Sequence, residues 1–94
     1  MPKLDGKQAR ELLKQIPGWQ LDGEKLRRKY SFEDFMQAID FVNKMAQLAE
    51  SEGHHPNFSV DYSRVDVTIW THAIGGLSEN DFILAAKIDK LLAH

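Results

Sequence analysis

The 94-residue sequence contains no cysteine. That absence excludes disulfide scaffolds, thiolate zinc sites, iron–sulfur clusters and cysteine nucleophiles together. Neither sign of charge is in excess: 12 basic residues against 14 acidic ones give a formal charge of −2. No global field therefore draws the chain to nucleic acid or to anionic lipid. No apolar run approaches the ~20 residues that span a bilayer, and the opening Met1-Pro2-Lys3-Leu4-Asp5 lacks a signal-peptide core. Internal repeats and low-complexity tracts are missing as well. These absences leave a soluble, cytoplasmic chain, expected to form a single domain over residues 1–94. Apolar residues make up 43% of it and charged residues 28%, an ordinary globular composition able to offset the entropy of ordering. The remaining chemical actors are few: four histidines, carboxylates, and hydroxyls with no evident activating partner.

Turn residues and apolar spacing divide the chain. Asp5 and Gln8 fit a capping box with Leu4 and Ala9 as its hydrophobic staple. Ala9, Leu12, Leu13 and Ile16 follow helical spacing until Pro17-Gly18 ends it. Trp19 and Leu21, then Leu26, Arg28, Tyr30 and Phe32, alternate around Asp22-Gly23 and predict a hairpin whose loop extends toward Lys25. Ser31 and Asp34, stapled by Tyr30 and Phe35, predict the start of a second helix. Its apolar face is expected to be Phe35, Ala38, Ile39, Val42, Met45, Ala46 and Ala49, its end near residues 50–52, and its left-handed cap Gly53. Phe58, Val60 and Tyr62, then Val65, Val67 and Ile69, predict a second hairpin turning at Ser63-Arg64. After Gly75-Gly76, Ser78 and Asp81 form a third box, stapled by Leu77 and Phe82, and open a last helix that runs almost to a frayed His94. The order α-β-β-α-β-β-α predicts an α+β fold: a four-stranded antiparallel sheet with three helices packed on one face.

Three histidines flank the second hairpin, as His54-His55-Pro56 before its first strand and Trp70-Thr71-His72 after its second. The beginning of one strand and the end of its antiparallel partner lie at the same end of a sheet, ~4.8 Å apart, so these segments are neighbours in space. Pro56 stiffens the corner by restricting His55 to extended backbone. Imidazole exists in both protonation states near neutrality, and two of them facing one substrate suffice to eliminate water. A plain corner with exposed rings is the competing reading. A metal site would draw on His54 or His55, His72, and Glu50 or Asp81. It is disfavoured because adjacent histidines diverge and no spacing sets two on one face. Asp81 also has a structural role in its capping box. Trp70 shares the polar-face parity of His72 and is placed to line a pocket or an oligomer contact. The basic run Lys25-Leu26-Arg27-Arg28-Lys29 reads as a solvated strand. Gly75-Gly76 lacks the Lys-Ser/Thr of a phosphate loop and reads as a mobile connection or a tight backbone approach.

Glu50-Ser51-Glu52-Gly53-His54-His55-Pro56, Tyr62, Thr71-His72, Gly76-Leu77-Ser78 and Asp81 resemble the signature of the pterin-4a-carbinolamine dehydratases. Gly18-Trp19 and Phe35 extend the match over nearly the whole chain. The resemblance implies the same α+β fold and a lyase that dehydrates 4a-hydroxytetrahydropterin to quinonoid dihydropterin, recycling a tetrahydrobiopterin-type cofactor for aromatic amino-acid hydroxylases. It implies no cofactor and no metal. His54, His55 and His72 correspond to the catalytic set, with His54 and His72 resembling the acid/base pair and His55 a substrate-binding histidine. His54, His55 and Pro56, with Thr71, His72, Ala73 and Ile74, match the stretches that hold the pterin ring. Asp81 matches a carboxylate that orients a histidine, and Glu50 and Trp70 stand as further support. Asn80 replaces a frequent arginine and Gly53 a frequent acidic residue. The implied partners are a pterin and further copies of the chain, as dimer or tetramer, with no direct contact to nucleic acid or membrane. Members also serve as dimerisation cofactors of a transcription factor, which keeps a non-catalytic interaction module as the alternative, beside an enzyme for another pterin.

Overall fold

A computed structural model describes residues 3–92, so the expected frayed end at His94 and the Met1-Pro2 start lie outside the described residues. The elements are α1 (Gly6–Leu13), β1 (Gln20–Asp22), β2 (Lys25–Ser31), α2 (Phe35–Glu52), β3 (Asn57–Asp61), β4 (Arg64–Ile69) and α3 (Glu79–Lys90), with a 3-10 turn at His72–Ile74. The two hairpins merge into one antiparallel sheet of order β1-β2-β4-β3. Their second strands meet in the middle, from Leu26 opposite Ile69 to Ser31 opposite Arg64.

Strand parity then separates the two faces of the sheet. Leu26, Tyr30, Val65, Val67 and Ile69 are buried beneath the helices. They meet Ala38, Phe41, Met45 and Ala49 of α2, and Phe82, Leu84, Ala85 and Ile88 of α3, in the core. The opposite parity is polar throughout: Lys25, Arg27 and Lys29 on β2, Arg64, Asp66 and Thr68 on β4, and Asn57, Ser59 and Asp61 on β3. There Arg27 grips Asp66 through two hydrogen bonds of 3.0 and 2.6 Å, which holds the Asp66 carboxyl below its usual range. The basic run is thus divided between faces, and both of its arginines are paired.

Several boundaries differ from the sequence expectations. Helix α1 stops at Leu13, and Ile16 is buried in the turn that follows. Ser31 does not open α2: it is paired with Arg64 in the sheet. Asp34 takes the capping position instead, accepting the Gln37 N–H at 2.9 Å. The buried stripe of α2 is turned toward Phe41 and Leu48, which leaves Phe35 46% exposed and Ala46 at the surface. The expected face had the right period with the wrong centre, because nothing local tells a helix which of two adjacent apolar rows meets the sheet. The second hairpin turns at Tyr62-Ser63, one residue early, with Tyr62 at φ 52° in the left-handed region. The first turns tightly at Gly23-Glu24, since Asp22 already faces Lys25 and Gly23 takes φ 61°.

Helix α3 is fastened to the first hairpin by one carboxylate. Asp89 accepts the Tyr30 hydroxyl at 2.6 Å, Arg28 Nη1 at 2.8 Å and the Trp19 indole N–H at 3.1 Å. Gly18 lies so close to the Arg28 guanidinium that an added Cβ would collide with it. Burial first, and then the hydrogen bond from its hydroxyl to Asp89, push the Tyr30 hydroxyl far above its ordinary 10.

Two expectations follow. Asp89→Ala strands three donors and lowers stability by about 1–3 kcal/mol, read by urea unfolding. Tyr30 stays protonated in the fold while the unfolded chain loses that proton above about pH 10. Its contribution is therefore complete below that pH and is lost as pH rises beyond it. The urea midpoint of the wild type should fall more steeply above that pH than that of Tyr30→Phe.

Candidate active site

The site forms where α2 ends and β4 leaves the sheet. Gly53, at φ 64°, lets the last turn of α2 close. Its N–H donates to the Glu50 carbonyl at 3.3 Å, and the His54 N–H to that of Ala49 at 3.2 Å. This double closure is a Schellman motif, and it anchors the His54 backbone on the helix end. Pro56 then leads directly into β3.

On the other side β4 ends at Ile69, so the expected strand parity does not reach His72. Thr71 instead forms a two-way bridge with Gly76, its N–H donating at 2.8 Å and its carbonyl accepting at 3.4 Å. Between them lies the 3-10 turn His72–Ile74, closed by Gly75 at φ 61°. Gly75-Gly76 is the neck of a small closed loop. The register Asn57 opposite Thr68 brings residues 54–55 alongside 70–72.

The two segments enclose an open cleft of about 340 Å³ lined by Gly53, His54, His55, Asn57, Trp70, Thr71 and His72. That volume lies within the ~300–1,000 Å³ of small-molecule sites. All three flanking histidines, Thr71 and Trp70 reach it as expected. Pro56 and Glu50 border a neighbouring apolar groove shared with His55 and Phe58. Ala73 and Ile74 belong to the 3-10 turn and are absent from the cleft wall. Asn57 was not foreseen as a lining residue; its place directly after Pro56 was the available signal.

Each imidazole has a different setting. His54 is largely buried, and its Nε2 stands 2.7 Å from Oδ1 of the fully buried Asp81. The two atoms are out of line for a hydrogen bond and, among the described residues, neither has a hydrogen-bond partner, so the contact is a close approach of ring nitrogen and carboxylate oxygen. The other Asp81 oxygen accepts the Ser78 N–H at 2.8 Å and the Thr71 hydroxyl at 2.9 Å. One carboxylate therefore starts α3, ties down the loop after β4 and backs His54. His55 is exposed and meets Glu50 at 2.9 Å, a surface pair of small energetic weight. His72 is exposed and stacks on Trp70, with ring centroids 4.2 Å apart and planes at 27°. Among the described residues no group of three or more histidines and carboxylates is placed to hold a metal ion.

A family model described as pterin 4 alpha carbinolamine dehydratase matches residues 2–91. A Dechloromonas aromatica protein assigned as a pterin-4-alpha-carbinolamine dehydratase is 51% identical over 89 residues, covering 95% of this chain and 80% of its own. A Rubrobacter xylanophilus protein with the same assignment is 44% identical over 92 residues, covering 97% and 86%. Among solved structures, a transcriptional coactivator/pterin dehydratase from Brucella melitensis superposes with a TM-score of 0.91 at 37% identity, covering 96% of this chain and 98% of that one.

Asp81→Ala removes the acceptor for Ser78 and Thr71 and should cost about 2–3 kcal/mol in urea unfolding. Asp81→Asn keeps a carbonyl oxygen for the Ser78 N–H and should cost less.

Proposed function

The chain belongs to the pterin 4 alpha carbinolamine dehydratase family, and from that membership we propose that it is a hydro-lyase converting a 4a-hydroxytetrahydropterin into quinonoid dihydropterin and water. The observation that carries this reading is the convergence of three imidazoles on one cleft, one of them backed by a buried carboxylate.

The chemistry needs little else. A hydroxyl leaves poorly as hydroxide, and a proton from an imidazolium lets it depart as water. The N5 proton leaves as the C4a=N5 bond forms, and a neutral imidazole accepts it. One proton is given and one is taken, with no net oxidation. We assign these two roles to His54 and His72, without ordering them. Asp81 stands beside Nε2 of His54, and among the described residues Nδ1 has no hydrogen-bond partner. His55 and the backbone of residues 54–56 and 71–74 would hold the flat bicycle in register, a contribution of orientation. The product would return to the reduced pterin cofactor consumed by aromatic amino-acid hydroxylases.

We place the protein in the cytoplasm as a homo-oligomer. In support, no helix among the described residues is long and apolar enough to cross a membrane. Both sheet edges, β1 and β3, are open, and Phe35, Met36, Phe58 and Tyr62 are exposed. The coactivator named for the Brucella protein favours, as a second reading, an interaction module.

Turnover of chemically prepared 4a-hydroxytetrahydropterin decides between them: an inactive, folded protein leaves only the module or another pterin. Replacing His54 or His72 by alanine should lower kcat by about 10²-fold or more. If each histidine serves one face of the ring, single variants keep activity toward one 4a-stereoisomer and the double variant is nearly dead. His55→Ala should mainly raise KM. A folded double variant with wild-type turnover on both stereoisomers would refute the assignment. Light scattering at micromolar concentration should show an oligomer.

A further inference from the structure

We propose that Trp70 is a positioning residue for His72, and that Lys25 steadies Trp70 in that task. This role presupposes the dehydratase reading above and adds to it how one of the two proton-transfer groups is aimed.

His54 is backed by Asp81 and His55 by Glu50. His72 has neither kind of support. It begins a 3-10 turn outside the sheet, its side chain is exposed, and among the described residues neither ring nitrogen has a hydrogen-bond partner. A proton-transfer group must bring a nitrogen within ~2.6–3.2 Å of its target, which an unrestrained surface imidazole achieves only a fraction of the time. The contact that sets the plane of the ring is the stack on Trp70, at 4.2 Å and 27°.

Trp70 is suited to act as that plate. It is half-buried and packs against the core, one residue past the end of β4. The last pair of the central ladder is Leu26 with Ile69, so the next position across from Trp70 is Lys25. Its Nζ lies 4.2 Å from the centroid of the Trp70 ring and forms no ion pair among the described residues. The indole thus carries an ammonium from β2 and the imidazole from the turn. A first-hairpin residue is thereby linked to a site built otherwise from the second.

The test is dehydration by Trp70→Leu, Trp70→Phe and Lys25→Met, each alone and with His72→Ala, after circular dichroism shows each variant folded. Trp70→Leu keeps apolar bulk without a flat face and should lower kcat by about 10- to 100-fold, the scale of a misplaced reacting group. Trp70→Phe should recover most of that loss. Lys25→Met, at an exposed position that keeps the fold if Trp70→Leu does not, should cost about two- to five-fold, the scale of one exposed cation–π contact. None of the three should add to the loss in His72→Ala, because a group that acts through another has no effect in its absence. Independently of activity, the carbon-bound proton resonances of the His72 ring should be displaced upfield by the indole ring current in the wild type. They should return toward random-coil positions in Trp70→Leu. Additive losses in an active protein, or a His72 resonance unmoved by Trp70→Leu, overturn this role alone. A wild type without dehydratase activity overturns the dehydratase reading and this role with it.

Discussion

The pairing of β2 with β4 is the constraint on which the rest of the molecule depends. Six residue pairs, from Leu26–Ile69 to Ser31–Arg64, join two hairpins that would each be marginal alone. A slip of one residue in either strand would carry Leu26 and Tyr30, or Val65, Val67 and Ile69, to the face that now holds Lys25, Arg27, Lys29, Asp66 and Thr68. Burial of the apolar set and solvation of the charged set therefore enforce a single register. That register also decides the functional end of the sheet, because it sets Lys25 across from Trp70 and fixes where β4 gives way to the turn bearing His72.

Helix α3 completes the assembly with two carboxylates of opposite electrostatic circumstance. Asp81 lies in the first turn, where the helix dipole and the free N–H groups favour a negative charge. It uses that position to gather Ser78, Thr71 and His54. Asp89 lies in the last turn, where the dipole disfavours an anion. Three donors, Arg28 and Tyr30 of β2 and Trp19 just before β1, offset that cost. One helix thus ties the first hairpin to the core through one end and the second hairpin's loop through the other. The fold and the cleft share this support, so disturbing the helix affects both.

The cleft itself combines a stiff floor with an open mouth. Asp81, Ser78 and the Gly53 closure fix the backbone beneath it. His55 and His72 stand at the surface. Such an arrangement sets two exposed imidazoles at the mouth of the cleft over a backbone held from below.

Element order, the two hairpin turns to within one residue, and the helix starts at Asp5 and Ser78 were legible in the sequence because capping, turn chemistry and apolar periodicity act between residues close along the chain. Convergence of His54, His55, Thr71 and His72 was legible too, since antiparallel topology alone brings the two ends of a hairpin together. Tertiary contact decided the remainder. Ser31 resembles a helix cap as much as Asp34 does, and only the ladder with Arg64 assigns it to the sheet. Phe35 and Phe41 are both apolar and helical, and only the position of the sheet buries one and exposes the other. The ring that backs onto Asp81 and the ring that lies against Trp70 were equally beyond local reading. Those contacts join residues far apart in the chain, and no periodicity or local preference encodes a distance that packing alone creates.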